Sequence, residues 1–369
     1  MVVTQVTPSG DASQSRFTKS QINARSPLST VNVRTQPSVV AVPNMAEDII
    51  DVHAHVVFEA LHGTAGKYGP EAGLSEDGAP FFRIGGYTMA PMTYKGTVFT
   101  DLSLRLSQLD RLNIDLQVLS PNPLTFMHGV EATIATNFCR RHNELMAETV
   151  SQAPERLLGL AALPAQDINA ACEELKRSVT ELGLKGAMIG TDLQLGFASN
   201  SLAPLYQTFV DLNVPLFIHA SSTDGVGNLK DMRLAAHNLS LSLGYAQEET
   251  LAVAQILLGG VLDRHPNIDI CVSHGGGTVA FLAEKLDQLA IIDKAASEGV
   301  RKNGFAHELK KLWFDTHVKG DIAARALRQC AHPNKLVMGT NLGGFDTPET
   351  VVSDAAHLSK NARKLLRLP

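Results

Sequence analysis

Residues 49–60 read IIDVHAHVVFEA, and this stretch decides between two folds. Its opening, Ile49–His53, is a short apolar β-branched run of the kind a buried strand uses. An open, doubly wound parallel sheet would usually follow its first strand with a Gly-rich phosphate turn. Here the run continues into His-Ala-His, and no GxGxxG appears.

Seven further runs of the same kind follow: Asp115–Ser120, Leu157–Ala162, Lys185–Gly190, Val214–His219, Ile268–Ser273, Leu312–Thr316 and Lys335–Thr340. They are continuously apolar rather than alternating, as expected for parallel strands buried on both faces. Helical patterns such as Ala132–Ala153, Ile168–Leu182 and Glu248–Asp263 lie between them. Eight such units predict an α/β fold, a (β/α)8 TIM barrel over residues 47–369, with a long insertion after the first strand. That insertion, Phe58–Thr100, is rich in glycine and reads either as a lid or substrate shelf or as a plain flexible excursion.

Residues 1–46 are different. They are hydroxylated, poor in aromatics and carry Arg16, Lys19, Arg25 and Arg34 against the single acid Asp11. The composition suits an organelle transit peptide, but the preferred reading is a flexible or extended N-terminal arm, or a start upstream of Met45. A cytoplasmic location is therefore expected.

The chain has 369 residues, 44% hydrophobic and 19% charged, with a formal net charge of −5. No basic block or Arg-rich helix appears, which argues against nucleic acid as a partner. No apolar run reaches the roughly 18 residues that a membrane span needs. The four cysteines, Cys139, Cys172, Cys271 and Cys330, are scattered without metal-site spacing, in keeping with a reducing compartment.

In a barrel of this kind chemistry sits at the C-terminal ends of the strands. Those ends hold His53 and His55 on the first strand, His219 on the fifth, His274 before three glycines on the sixth, His317 on the seventh and Asn341 after the eighth. In an extended segment residues i and i+2 point the same way, so His53 and His55 project together. Two imidazoles repel when protonated, and a divalent metal that binds their lone pairs removes the conflict. His219 adds a third nitrogen, and three neutral imidazoles with an open position form a catalytic rather than a structural zinc arrangement. The alternative is a set of strand-end histidines hydrogen-bonded to backbone. His274 reads as a fourth ligand or as a general acid/base beside the metal.

These residues make the chain similar to the amidohydrolase superfamily, and more narrowly to the branch that contains 2-amino-3-carboxymuconate-6-semialdehyde decarboxylase. The resemblance covers about residues 49–345. It rests on IIDVHAHVV, LSQLDRLNIDLQVLSP, RLLGLAALPAQD, VPLFIHAS, GGVLDRHPNIDICVSHGGGTVAFLAEKLD, LWFDT and KLVMGTN. It implies one divalent metal ion, usually Zn2+ with Mn2+ as the other candidate, held by His53, His55 and His219, with His274 as the base that activates a metal-bound water. It also implies a homodimer and nonoxidative decarboxylation of an aromatic or muconate-type carboxylic acid, the small-molecule substrate.

The chain departs from that pattern in two places. Where the family usually has an aspartate after the eighth strand, this chain has Asn341, a neutral and poor ligand. A natural variant that uses His274 for proton transfer ranks first, beside an introduced Asp→Asn change and a catalytically weakened relative that only binds ligand. Asp346 lies close by in sequence. Second, the segment Ser221–Tyr245 has no Trp, unlike the decarboxylase, and offers His237, Asn238 and Tyr245. Candidate substrate contacts are Arg83, Asn122, Phe126 and His237, with His128 in the same loop as Asn122 and Phe126. A carboxylated substrate calls for an arginine fork; Arg233 and Arg264 are further candidates, Arg264 more naturally structural. The leading activity is decarboxylation. A metal-dependent hydrolase of a C–C, amide or lactone bond is the alternative, and a binding protein on the same scaffold is the third.

Overall fold

Twelve strands are present in the computed structural model, which describes residues 48–221, 231–344 and 346–369. They are β1 (Ile50–Val56), β2 (Glu71–Leu74), β3 (Pro80–Ile84), β4 (Tyr87–Met89), β5 (Leu116–Pro121), β6 (Leu157–Gly159), β7 (Ala161–Ala162), β8 (Ala187–Gly190), β9 (Leu216–His219), β10 (Ile270–Val272), β11 (Trp313–Asp315) and β12 (Leu336–Val337). β2, β3 and β4 form a separate antiparallel sheet inside the insertion. The others pair in parallel in two sheets, ordered β1-β5-β6 and β12-β11-β10-β9-β8-β7. The protein is thus α/β with parallel strands separated by helices, as the apolar runs predict. The expected arm, residues 1–46, lies outside the described residues.

The run Leu157–Ala162 is divided at Leu160. Its first part pairs with β5 and its second with β8, while the Leu160 N–H donates to Leu119 O at 2.8 Å. At the other end, the Val52 N–H donates to Met338 O at 2.9 Å, which links β1 to the residue after β12.

Alternate residues of each strand enter different cores, which explains why the runs read as continuously apolar. Leu216 and Ile218 of β9, and Ile270 and Val272 of β10, pack in the larger cluster that the helices cover. Phe217 and Cys271 point the other way. They join Ile50, Val52, Val118, Leu160, Met188, Trp313 and Val337 in a second cluster fed by every parallel strand run. Ala362, Leu365 and Leu366, from the C-terminal helix Ala355–Leu365 and the residue after it, complete that cluster.

β1 carries an irregularity that decides what its histidines face. Asp51 pairs with Gln117 and Ala54 with Leu119, so three steps on β1 oppose two on β5. One extra residue reverses the alternation. Before it, Ile50 and Val52 point into the second cluster; after it, Ala54 and Val56 point into the helix-covered one. His53 and His55 are thereby turned toward the strand ends.

The insertion is folded and anchored. Val57, Leu61, Ala65, Phe82 and Ile84 pack against Leu124, Met127 and Val130 of the loop after β5, and against Ala135 and Phe138 of the helix Ala132–Val150. It shelves over that loop rather than leaving the surface as a flexible excursion.

Candidate active site

Each of the three histidines at the strand ends has its inner ring nitrogen fixed by an acceptor. His53 Nδ1 donates to Asp315 Oδ2 at 2.8 Å, at the end of β11. His55 Nδ1 lies 3.0 Å from Pro121 O and 2.9 Å from Ser120 Oγ. His219 Nδ1 donates to Ala220 O at 2.7 Å. A carbonyl oxygen can only accept, so Nδ1 carries the hydrogen and Nε2 keeps a bare lone pair. The three Nε2 atoms then meet: His53 to His55 and His55 to His219 are each 3.2 Å.

Lone pairs brought so close repel one another unless a cation lies among them, and all three rings are buried. Burial also holds them neutral. It pushes the pKa of His53 and His219 well below the usual imidazole range, helped by the neighbouring histidines. His55 falls to about 3, again chiefly through burial. Among the described residues this is the group whose ligand atoms, all within 4.8 Å of one another, could hold a metal ion. Neutral nitrogen donors, each oriented through its second nitrogen, suit a catalytic divalent ion.

His274 stands beside this triad, its ring centroid 4.9 Å from those of His53 and His219. It has a left-handed backbone (φ 50°) and is followed by Gly275, Gly276 and Gly277, all at positive φ. A side chain at Gly277 would collide with the Ala246 carbonyl, so this tight path needs glycine there. His274 Nδ1 lies 2.7 Å from Glu249 Oε1. Burial disfavours the charged imidazole, but the Glu249 carboxylate outweighs it by charge and hydrogen bond, and Asp315 and Asp346 add to this. The pKa rises to about 9. Glu249 itself is fully buried, and burial raises its pKa.

Beneath the triad a buried polar chain locks β1 to its neighbours. Asp51 accepts from the His53 N–H, from Gln117 Nε2 and from both the N–H and the hydroxyl of Thr340. Gln117 in turn accepts from Arg105, whose other nitrogen donates to His55 O at 2.6 Å. Arg105 is therefore a buried strut, and burial lowers its pKa to about 10.

At the rim, Asn341 also has a left-handed backbone (φ 50°) and its N–H donates to His53 O at 2.8 Å. Its amide donates to Asp346 Oδ1 at 3.1 Å, and His317 Nε2 lies 2.9 Å from Asp346 Oδ2. The His317 ring is 5.5 Å from that of His53 and 5.6 Å from that of His274.

The expected substrate contacts divide. Phe126 reaches the site, its ring 6.5 Å from that of His219 and stacked on His128 at 5.6 Å. Asn122 is buried, caps the turn at Leu124 and lies 3.4 Å from the Tyr94 hydroxyl. His128 Nδ1 is held by Asp192 Oδ1 at 2.8 Å. Arg83 is engaged elsewhere: it stands opposite Glu71 in the β2–β3 pair, and its guanidinium binds Glu71 and Gly85 O. His237 is exposed and follows residues 222–230, which lie outside the described residues. Arg233 is clasped by Asp231, and Arg264 binds Gly259 O and Ala198 O in the turn before β10, a structural use. Trp313 lies in the second core cluster with its indole on Asp269, away from any substrate role.

Reading the sequence placed His317 at a strand end without a role, and missed Glu249 and the strut Arg105–Gln117–Asp51. A signal existed for Glu249. It occupies the same buried stripe as Ala252, Val253 and Ile256 on the helix Tyr245–Leu258, and an acid on such a stripe is held there by a partner.

The chain is similar to 2-amino-3-carboxymuconate-6-semialdehyde decarboxylase of Dictyostelium discoideum, 28% identical over 300 residues, 79% of this chain and 80% of that protein. It is 30% identical over 197 residues to gamma-resorcylate decarboxylase of Rhodococcus jostii, which covers 50% of this chain and 59% of the relative. A crystal structure of dihydroxybenzoic acid decarboxylase from a Polaromonas species, with bound manganese and the inhibitor 2-nitroresorcinol, superposes with a TM-score of 0.69. It is 19% identical and covers 87% of this chain and 97% of that one, a likeness of fold. The amidohydrolase family model matches residues 50–352, a span that includes all the strands and histidines described above. The chain belongs to the amidohydrolase family.

Proposed function

We propose that this protein is a metal-dependent nonoxidative decarboxylase, a carbon–carbon lyase acting on an aromatic or muconate-type carboxylic acid. The observation that carries the reading is the convergence of three bare Nε2 atoms beside a fourth histidine that holds a proton. The named activities of the relatives support it. His53, His55 and His219 would hold the metal, which supplies Lewis-acid polarisation of a substrate oxygen. Zinc suits the all-imidazole donor set, and manganese is the other candidate.

His274 is the proton carrier, with Glu249 orienting its ring and stabilising its charged form. The C–C bond to the carboxylate breaks, its electron pair takes the proton from His274 at the same carbon, and carbon dioxide leaves. Phe126 offers an apolar wall to an aromatic or conjugated substrate, and Asn122 with the Tyr94 hydroxyl offers polar contact at its edge. Arg83 and His237 drop out of this reading, the first because Glu71 neutralises it, the second because of its exposure.

The proposal extends to the fold. The eight strand runs of a single domain, residues 47–369, close into a (β/α)8 barrel. The Val52–Met338 hydrogen bond and the core cluster fed by every run support closure. The chain acts as a cytoplasmic homodimer. Among the described residues no helix is long and apolar enough to cross a membrane.

The test supplies the zinc-loaded protein with candidate aromatic acids and follows carbon dioxide. Release by the wild type and its loss in His274→Asn with zinc retained are expected. Incorporation of solvent oxygen into product without carbon dioxide would replace this reading with hydrolysis.

A further inference from the structure

We propose that Asp346, fixed at the rim by His317 and Asn341, is a second carboxylate, beside the buried Asp315 on His53 Nδ1, that balances the charge of the divalent ion held by the three histidines. The inference rests on the metal reading above and concerns how this chain holds such an ion without an anionic ligand.

The three donors are neutral imidazoles, so a divalent ion among them keeps its full charge in a buried setting. Such a charge is costly unless an opposite one lies near. Asp346 is placed for that task without being a ligand, since its oxygens are outside the group of atoms that could touch a common ion. Oδ2 is held by His317 Nε2 at 2.9 Å and Oδ1 by Asn341 Nδ2 at 3.1 Å. Both supports lead to His53: the His317 ring lies 5.5 Å from its ring, and the Asn341 N–H binds its carbonyl oxygen. The carboxylate is thus locked at a fixed distance from the ligands, and it acts through space in a half-buried region where screening is incomplete. The Lys319 ammonium sits on the Asp346 backbone oxygen and partly offsets that charge.

Charge can be removed with little change of shape. In Asp346→Asn the amide oxygen still accepts from His317, and the Asn341 amide can turn to accept from the new NH2 group.

The experiment strips the full chain with a chelator and titrates it with Zn2+ against a competing chromogenic chelator. Asp346→Asn should weaken zinc binding by about tenfold or more, and the loss should shrink between about 0.05 M and about 0.5 M salt. In Asn341→Asp/Asp346→Asn a carboxylate returns at a different position, and zinc affinity should recover. A merely structural Asp346 would not be rescued in this way. Lys319→Met, which leaves Asp346 intact, should bind zinc more tightly than wild type and decides the matter if Asp346→Asn does not fold. Unchanged affinity in Asp346→Asn at low salt, failed recovery in the double variant, or no gain in Lys319→Met would overturn the proposal. The metal reading fails separately, if the wild type takes up no zinc or His55→Ala binds it as well as wild type.

Discussion

Two imidazole–carboxylate pairs flank His53, and they differ in depth. His274 with Glu249 lies inside, the carboxylate wholly buried and 2.7 Å from the ring. His317 with Asp346 lies at the rim, the carboxylate partly exposed at 2.9 Å. The same two groups therefore behave differently. Burial raises the Glu249 pKa and Glu249 raises that of His274, so the inner pair holds a proton between ring and carboxylate. Burial also acts on Asp346, but the His317 hydrogen bond and charge, with His274 and Lys319, overcome it and lower the pKa to about 2. A deep pair is suited to passing a proton, whereas a shallow one is suited to holding a fixed charge.

The largest effect comes from removing the floor on which both pairs rest. His55→Ala should lower bound zinc, measured by elemental analysis after dialysis, from about one per chain to background and abolish turnover. Next, His274→Asn should keep zinc but lose about 10²–10⁴-fold in rate, the range for a positioned acid or base. A loss of zinc in that variant would instead place His274 among the ligands.

The two carboxylates are separated by titrating His274 in the zinc-free protein by NMR. Its protonated form should dominate below about 9 and disappear as pH rises through that value. Glu249→Gln removes the anion in contact with the ring and should lower this midpoint by roughly one to three units, the usual worth of an adjacent opposite charge. Asp346→Asn should lower it by less, because Asp346 touches His317 rather than His274. Equal shifts would erase the distinction between the pairs. The smallest effect belongs to Arg83→Met, which removes a half-exposed ion pair with Glu71 and should change kcat/KM by less than about threefold.

How far this was legible follows from what each residue type can signal. The eight parallel runs were readable because burial on both faces leaves an unbroken apolar stretch, and each observed parallel strand falls within its expected run or within three residues of its ends. β2 to β4 were not readable. They span three to five residues each and are interrupted by Gly73, Gly85 and Gly86, so no period develops. His53 and His55 announce themselves by spacing, and His219 and His274 by ending strands. Arg83 misled because an arginine in a loop near the site resembles a carboxylate clamp, and only the strand register reveals Glu71 across from it. Arg105 lay hidden because an arginine on an amphipathic helix, Leu102–Leu112, reads as solvated; its burial depends on Gln117 and Asp51, distant in sequence. Asp346 could be suspected from Asn341, but a loop carries no rule for where a side chain points.

The extra residue in β1 uncouples the facing of the imidazoles from the residue count of the strand before them, because the pairing after it is set by β5. Exchanging Val52 for Ile would leave the parity of the chain intact, and the imidazoles would still emerge on the interior side. Deleting Val52 would straighten the strand: His53 would take the place opposite Val118, Ala54 would still oppose Leu119, and both imidazoles would keep their facing while the inner cluster lost a valine. Relatives that share this chemistry should therefore tolerate loss of the extra residue before His53 better than loss of either imidazole.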